Sequence, residues 1–257
     1  MGTDPIFPAT VSLNDPCACA GCLLDRAGKI PTSKHLESYM PRPARLVLEG
    51  VPLHIVHRGN NRQTCFHSNA DYIAYLNWLA QYSRAAGCAV HAYVLMTNHV
   101  HLLISFPDVA GPAMLMKALA QRYSQHFNWL YQRTGTLWEG RYHSSLVDND
   151  KYFLICQQYI ELNPVRAGMV AWPFEYRWSS HRGNAGLRHD GLLTQHGLFR
   201  SLGTDDAECQ QKYRALFAVD LNPAMVDHIR KCTRANRALS HVAKPRGRPP
   251  TQRDGMV

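Results

Sequence analysis

From Leu46 to Arg58 the chain is rich in Leu, Val and Ile, and it reads as a strand or as a short hairpin around Glu49–Pro52. The polar run Arg58 to Gln63 follows, with turn-forming Gly59, Asn60 and Asn61. Ser68–Asn69 can cap a helix from about Asp71 to Ala86, in which Tyr72, Tyr75, Leu76, Leu79 and Tyr82 recur at three- and four-residue steps. Gly87 stops it. Cys88 to Met96 then reads as a strand and His99 to Phe106 as its partner, ended by Pro107.

A second long helix is predicted over about Pro112 to Gln132, with Leu115, Leu119, Tyr123 and Phe127 on one face. Thr134 to Val147 reads as a loop and a short strand. Asp148 or Asn149 caps a third helix reaching Leu162 or Asn163, where Pro164 opposes continuation. Strand, helix, two strands, helix, strand is the order of an α+β, ferredoxin-like split βαβ fold, with helices on one side of an antiparallel sheet. Beyond about Ser180 the pattern becomes irregular, apart from a helix expected at Asp205 to Phe217. Three regions follow: a poorly ordered extension over 1–40, a structured domain over 41–180, and an accessory region over 181–257 with a basic tail.

Composition narrows the class. No apolar stretch approaches the roughly 20 residues needed to cross a bilayer, and no basic start with an apolar run suggests a secretory signal. The expectation is a cytoplasmic protein with no membrane partner. Its net charge is +9. Eight basic residues between Leu221 and Val257 face only Asp227 and Asp254, which favours a polyanionic partner such as nucleic acid. Most of the cysteines are scattered singly, as reduced thiols are. The cluster Cys17, Cys19 and Cys22, with His35, is either a soft-metal site or part of a loosely ordered leader.

The chemistry concentrates on two elements. His99 and His101 are two apart on a predicted strand, so both leave the same face, while Val100, Leu102, Ile104 and Phe106 suit the other face to packing. Two neutral imidazoles so placed can share one metal. On the third helix Tyr159 and Asn163 lie one turn apart. An oxygen of Asn163 completes a two-histidine, one-oxygen set suited to Mg²⁺ or Mn²⁺ acting on phosphate. The Tyr159 phenol then faces the same phosphate as a nucleophile, a role the metal assists.

The segments Met96 to Ile104 and Gln157 to Val170, with His57 to Phe66 and Leu137 to Val147, resemble the HUH single-tyrosine transposases, and among them the REP-associated tyrosine transposases. The resemblance spans roughly Met40 to Ser180. It implies the HUH nuclease fold, metal-binding His99 and His101, a metal-site contribution from Asn163 and a Tyr159 nucleophile. It also implies cleavage of single-stranded DNA beside hairpins through a 5′-phosphotyrosine, then strand transfer without a high-energy cofactor. Arg58, Asn60, Asn61, Arg62 and Arg141 are candidate DNA contacts. Arg246, Gly247 and Arg248 resemble an AT-hook able to enter a minor groove. The alternative is a DNA-binding regulator of the same fold without cleavage, and either a monomer or a homodimer fits.

Overall fold

The computed structural model describes residues 45–241. Four strands, β1 (Leu53–Arg58), β2 (Ala89–Leu95), β3 (His99–Ser105) and β4 (His143–Leu146), form one antiparallel sheet in the order β2-β3-β1-β4. Eight helices accompany them among the described residues: α1 (Asn69–Ala85), α2 (Gly111–Leu130), α3 (Asp150–Glu161), α4 (Asn163–Arg166), α5 (His181–Asn184), α6 (Gly197–Arg200), α7 (Asp206–Ala215) and α8 (Pro223–Ala235). This is the expected α+β ferredoxin-like order. No helix among the described residues is long and apolar enough to cross a membrane.

Local chemistry sets the boundaries. The Asp71 carboxylate accepts from the backbone N–H groups of His67 and Ser68, tying off the start of α1, and Gly87 ends it at φ +61°. Of the segment that reads as a strand or hairpin from Leu46, only Leu53–Arg58 is strand. A turn at Glu49–Gly50 precedes it, with Gly50 at φ +72°. Asn149 caps α3 by accepting from the Lys151 N–H.

Register divides the sheet into two unlike faces. Leu53 and Ile55 pair with Ile104 and Leu102, and with Val100 they form a fully buried apolar surface. Trp138 lies against that side: it stacks on His57 at 4.3 Å, and its Nε1–H donates to the Ala120 carbonyl of α2. Tyr75 of α1 meets Tyr123 of α2 edge-on at 5.2 Å in the same layer. Trp138 and Tyr142 are both buried.

The other face carries His54, Val56, Arg58, His99 and His101. It is not left open as a one-sided arrangement of helices requires, because α3 and α8 cover it. Tyr159 of α3 lies against His54 and His101, and Thr233 of α8 bonds to His54 and to Ser145 of β4. The sheet is therefore sandwiched. The physical reason lies in α8, whose Val226, Ile229 and Cys232 form a buried stripe at helical spacing within what reads as a basic tail.

Candidate active site

A pocket of about 620 Å³ opens on the histidine face, between β1, β3, α3, α4 and α8. His99, His101, Tyr159 and Asn163, which come from separate sequence segments, all line it. The His99 and His101 rings are 5.0 Å apart and inclined at 70°. The Tyr159 ring stands edge-on to His101 at 5.8 Å and to His54 at 5.7 Å. Among the described residues the Tyr159 hydroxyl makes no hydrogen bond, while its ring is buried.

Each histidine is oriented through its Nδ1. The Asn98 amide nitrogen donates to the Arg62 carbonyl at 3.1 Å, which turns its oxygen toward His99 Nδ1 at 2.7 Å. A carboxamide oxygen only accepts, so His99 Nδ1 carries the proton and Nε2 keeps its lone pair. His101 Nδ1 meets His54 Nε2 at 2.9 Å. Burial pushes His54 down to about 3, and burial followed by the nearby Arg58 charge pushes His99 down to about 4. His101 lies well below its ordinary value, first through burial and then through the neighbouring His99, His54 and Arg166. All three are neutral imidazoles at neutral pH.

Asn163 is fixed by the helix break. Pro164 has no N–H to give the Ile160 carbonyl, and the Asn163 amide nitrogen donates there instead at 3.2 Å, and to the Tyr159 carbonyl at 3.1 Å. Among the described residues its oxygen accepts no hydrogen bond. Arg166 holds the other side of Tyr159, with its guanidinium over the ring at 4.4 Å and Nη2 donating to the Tyr159 carbonyl at 2.6 Å. Its Nε and Nη1 are buried and have no hydrogen-bond partner among the described residues, and burial lowers it to about 10, so it remains a cation at neutral pH.

The back of α3 is anchored by the buried carboxylate of Glu161. It accepts from Ser180 Oγ at 2.6 Å, Asn184 Nδ2 at 2.8 Å, His181 Nδ1 at 2.9 Å and Tyr213 Oη at 2.9 Å. Gln157 donates to the His91 carbonyl, and Gln158 to those of Leu216 and Val219. These bonds hold the helix so that Tyr159 faces the histidines.

Arg58, Arg141, Arg166, Arg230 and Arg234 line the pocket against a single carboxylate, that of Glu139. Of the DNA-contact candidates, Arg58 and Arg141 are thus at the site. Asn60, Asn61 and Arg62 form a separate turn outside its lining, with Asn61 and Arg62 at φ +49° and +58°. Arg246, Gly247 and Arg248 lie outside the described residues, as do Cys17, Cys19, Cys22 and His35. The sequence reading missed His54, Arg166, Thr233, Arg230 and Arg234. The alternation Leu53–His54–Ile55 was the available signal for His54, and the spacing of Arg230, Thr233 and Arg234 for one face of α8.

Residues 48–163 match the family described as "Transposase IS200 like". This stretch, a little under half of the chain, is similar to the IS200-like transposases. The match spans all four strands, and its last residue is Asn163. Solved structures similar to the chain include a REP-associated tyrosine transposase bound to a REP hairpin, at 18% identity and TM-score 0.48, covering 62% of this chain and 96% of that one. Another is a provisionally named transposase from Deinococcus radiodurans R1, at 24% identity and TM-score 0.34, covering 48% and 96%. A third is a bacterial tRNA(His) guanylyltransferase-like protein with GTP, at 12% and 0.33, covering 54% and 73%. With TM-scores under 0.5, none of these likenesses bears on the chemistry. No curated protein matches the chain. Helix α8 lies beyond the matched residues, and its Arg230, Thr233 and Arg234 line the pocket.

Proposed function

We propose that the protein is a metal-dependent single-strand DNA endonuclease and strand transferase, acting at hairpin-associated sequences through a 5′-phosphotyrosine on Tyr159. One observation carries the reading. Two neutral histidines with Nε2 free, an amide oxygen and a tyrosine meet in one pocket walled by arginines.

The donor set fits a divalent ion. Among the described residues no group of three His, Cys, Asp or Glu side chains forms a metal cluster, and Asn163 supplies the third donor as an amide oxygen. Two nitrogens and one oxygen leave positions open, which suits Mg²⁺ or Mn²⁺ on a phosphate. When bound at His99, His101 and Asn163, the ion polarises the scissile phosphate and stabilises its developing charge.

The protein's own groups do the rest. The Nε–H and Nη1–H of Arg166, which have no partner among the described residues, suit a phosphate oxygen, and its guanidinium lies over the Tyr159 ring. The Tyr159 oxygen bonds to phosphorus as the bond to the 3′ oxygen breaks, and the proton lost by the phenol balances the one gained by the 3′-hydroxyl. The phosphodiester energy stays in the protein–DNA link, so a second 3′-hydroxyl can reseal the strand. Arg58, Arg141, Arg230 and Arg234 pair with backbone phosphates around the pocket.

The test is incubation with Mn²⁺ and a single-stranded oligonucleotide carrying a hairpin. A covalent adduct at the 5′ end of the downstream fragment is expected with the unaltered protein and none with Tyr159→Phe or after chelation. Tight hairpin binding with no adduct under any metal condition supports a regulator instead.

A further inference from the structure

We infer that His54 is a positioning residue that fixes the tautomer of His101, and that Thr233 of α8 sets the direction of that control. The inference rests on the reading of His101 as a metal ligand.

The hydrogen-bond chain has one consistent direction. Thr233 Oγ1 donates to the Ile229 carbonyl at 2.8 Å, and that oxygen can only accept. The hydroxyl's lone pairs then accept from Ser145 Oγ at 3.0 Å and from His54 Nδ1 at 3.1 Å. His54 is neutral and has one N–H, now at Nδ1, which makes Nε2 an acceptor. His101 Nδ1, 2.9 Å away, therefore carries a proton, and its remaining lone pair is on Nε2. Removing the acceptor frees His101 to take the opposite tautomer, whose Nε2–H cannot coordinate.

His54, His101 and Thr233 come from β1, β3 and α8 and are all buried. Thr233 lies 70 residues beyond the last residue of the transposase match. Helix α8 is thus part of the site by two routes: Thr233 acts through His54, and Arg230 and Arg234 on the same face line the pocket.

The experiment uses the full chain labelled with ¹⁵N and free of metal. Long-range ¹H–¹⁵N spectra are expected to show His54 and His101 both protonated at Nδ1. His54→Gln keeps an acceptor for His101 and a donor for Thr233. It should retain the His101 tautomer and bind Mn²⁺ within about threefold of the original. His54→Leu removes both and should lose about 10–100-fold in Mn²⁺ affinity, the range for removing such outer partners of a ligand. Thr233→Val should also admit the Nε2–H form of His101. His101 found protonated at Nε2 in the unaltered protein overturns the inference, as does His54→Leu that changes neither tautomer nor affinity. If His101→Ala loses Mn²⁺ and His54→Leu does not, only the positioning role fails. If His101→Ala binds as before, the metal reading itself fails.

Discussion

Replacing Glu161 should loosen the protein more than any single apolar truncation at its surface, and the effect should reach Tyr159. The carboxylate is fully buried and accepts four hydrogen bonds, two at each oxygen. Glu161→Ala strands those donors, each at about 1–3 kcal/mol if nothing relaxes. The Ser180 and Tyr213 hydroxyls can turn elsewhere. Asn184 cannot turn freely, because its amide also bonds to the His91 carbonyl and to Gln195. Allowing for that relaxation, the expected loss is about 3–5 kcal/mol, the range for breaking a buried charge-assisted network.

Glu161→Gln should cost only about 1–2 kcal/mol. Its NH₂ can face Tyr213 and His181, both of which can switch to accepting, and its oxygen keeps Ser180 and Asn184. The assay is urea unfolding at neutral pH, followed by adduct formation under conditions where each variant is folded. Glu161→Ala should form adduct more slowly than Glu161→Gln, because Tyr159 sits on the opposite side of the same helix. Glu161→Ala within 1 kcal/mol of the original, or equal costs for the two variants, refutes the reasoning.

Three further outcomes follow. Arg230→Ala with Arg234→Ala should weaken binding of single-stranded DNA regardless of sequence and reduce the log–log salt slope by about 1.4, at about 0.7 per lost phosphate contact; an unchanged slope removes α8 from the DNA path. Gly59→Ala should cost about 1–3 kcal/mol, because its Cβ would press on the Gln63 carbonyl and the Cys65 sulfur, which a thermal melt resolves. Stability should fall as pH drops below about 6.5. The unfolded chain then protonates His54, His57, His91 and His99, whereas burial holds the folded groups neutral down to about pH 3 to 4. Each contributes up to about 1.4 kcal/mol per pH unit across that window, and equal unfolding free energies at pH 7 and 5 contradict the assignment.

The pair β2 and β3 was legible because each of these strands carries one wholly apolar face, as Val100, Leu102 and Ile104 form in β3. The pair His99 and His101 stood out for the same reason: alternation put two polar rings on the remaining face. Tyr159 and Asn163 were readable from one helical turn ended by Pro164. His54 was missed because one polar residue alternating with Leu53 and Ile55 is a weak signal beside the paired His99 and His101. Helix α8 was hidden because its arginines and lysine masked a short apolar stripe. With α8 unseen, nothing suggested that helices cover both faces or that Thr233 stands behind the histidines. Arg166 joins the site only through the short turn of α4, a matter of three-dimensional return rather than of spacing.

The central claim is that the Tyr159 oxygen forms the bond to DNA. It is tested most directly by digesting the adduct with nuclease and trypsin and sequencing the modified peptide by mass spectrometry. The tryptic fragment Tyr152–Arg166 contains both Tyr152 and Tyr159, so fragment ions have to assign the nucleotide. The expected result is a nucleotide on Tyr159 alone, formed with Mn²⁺ and absent in Tyr159→Phe. A nucleotide on Tyr152 or on any other residue, or an adduct that persists in Tyr159→Phe, contradicts the account.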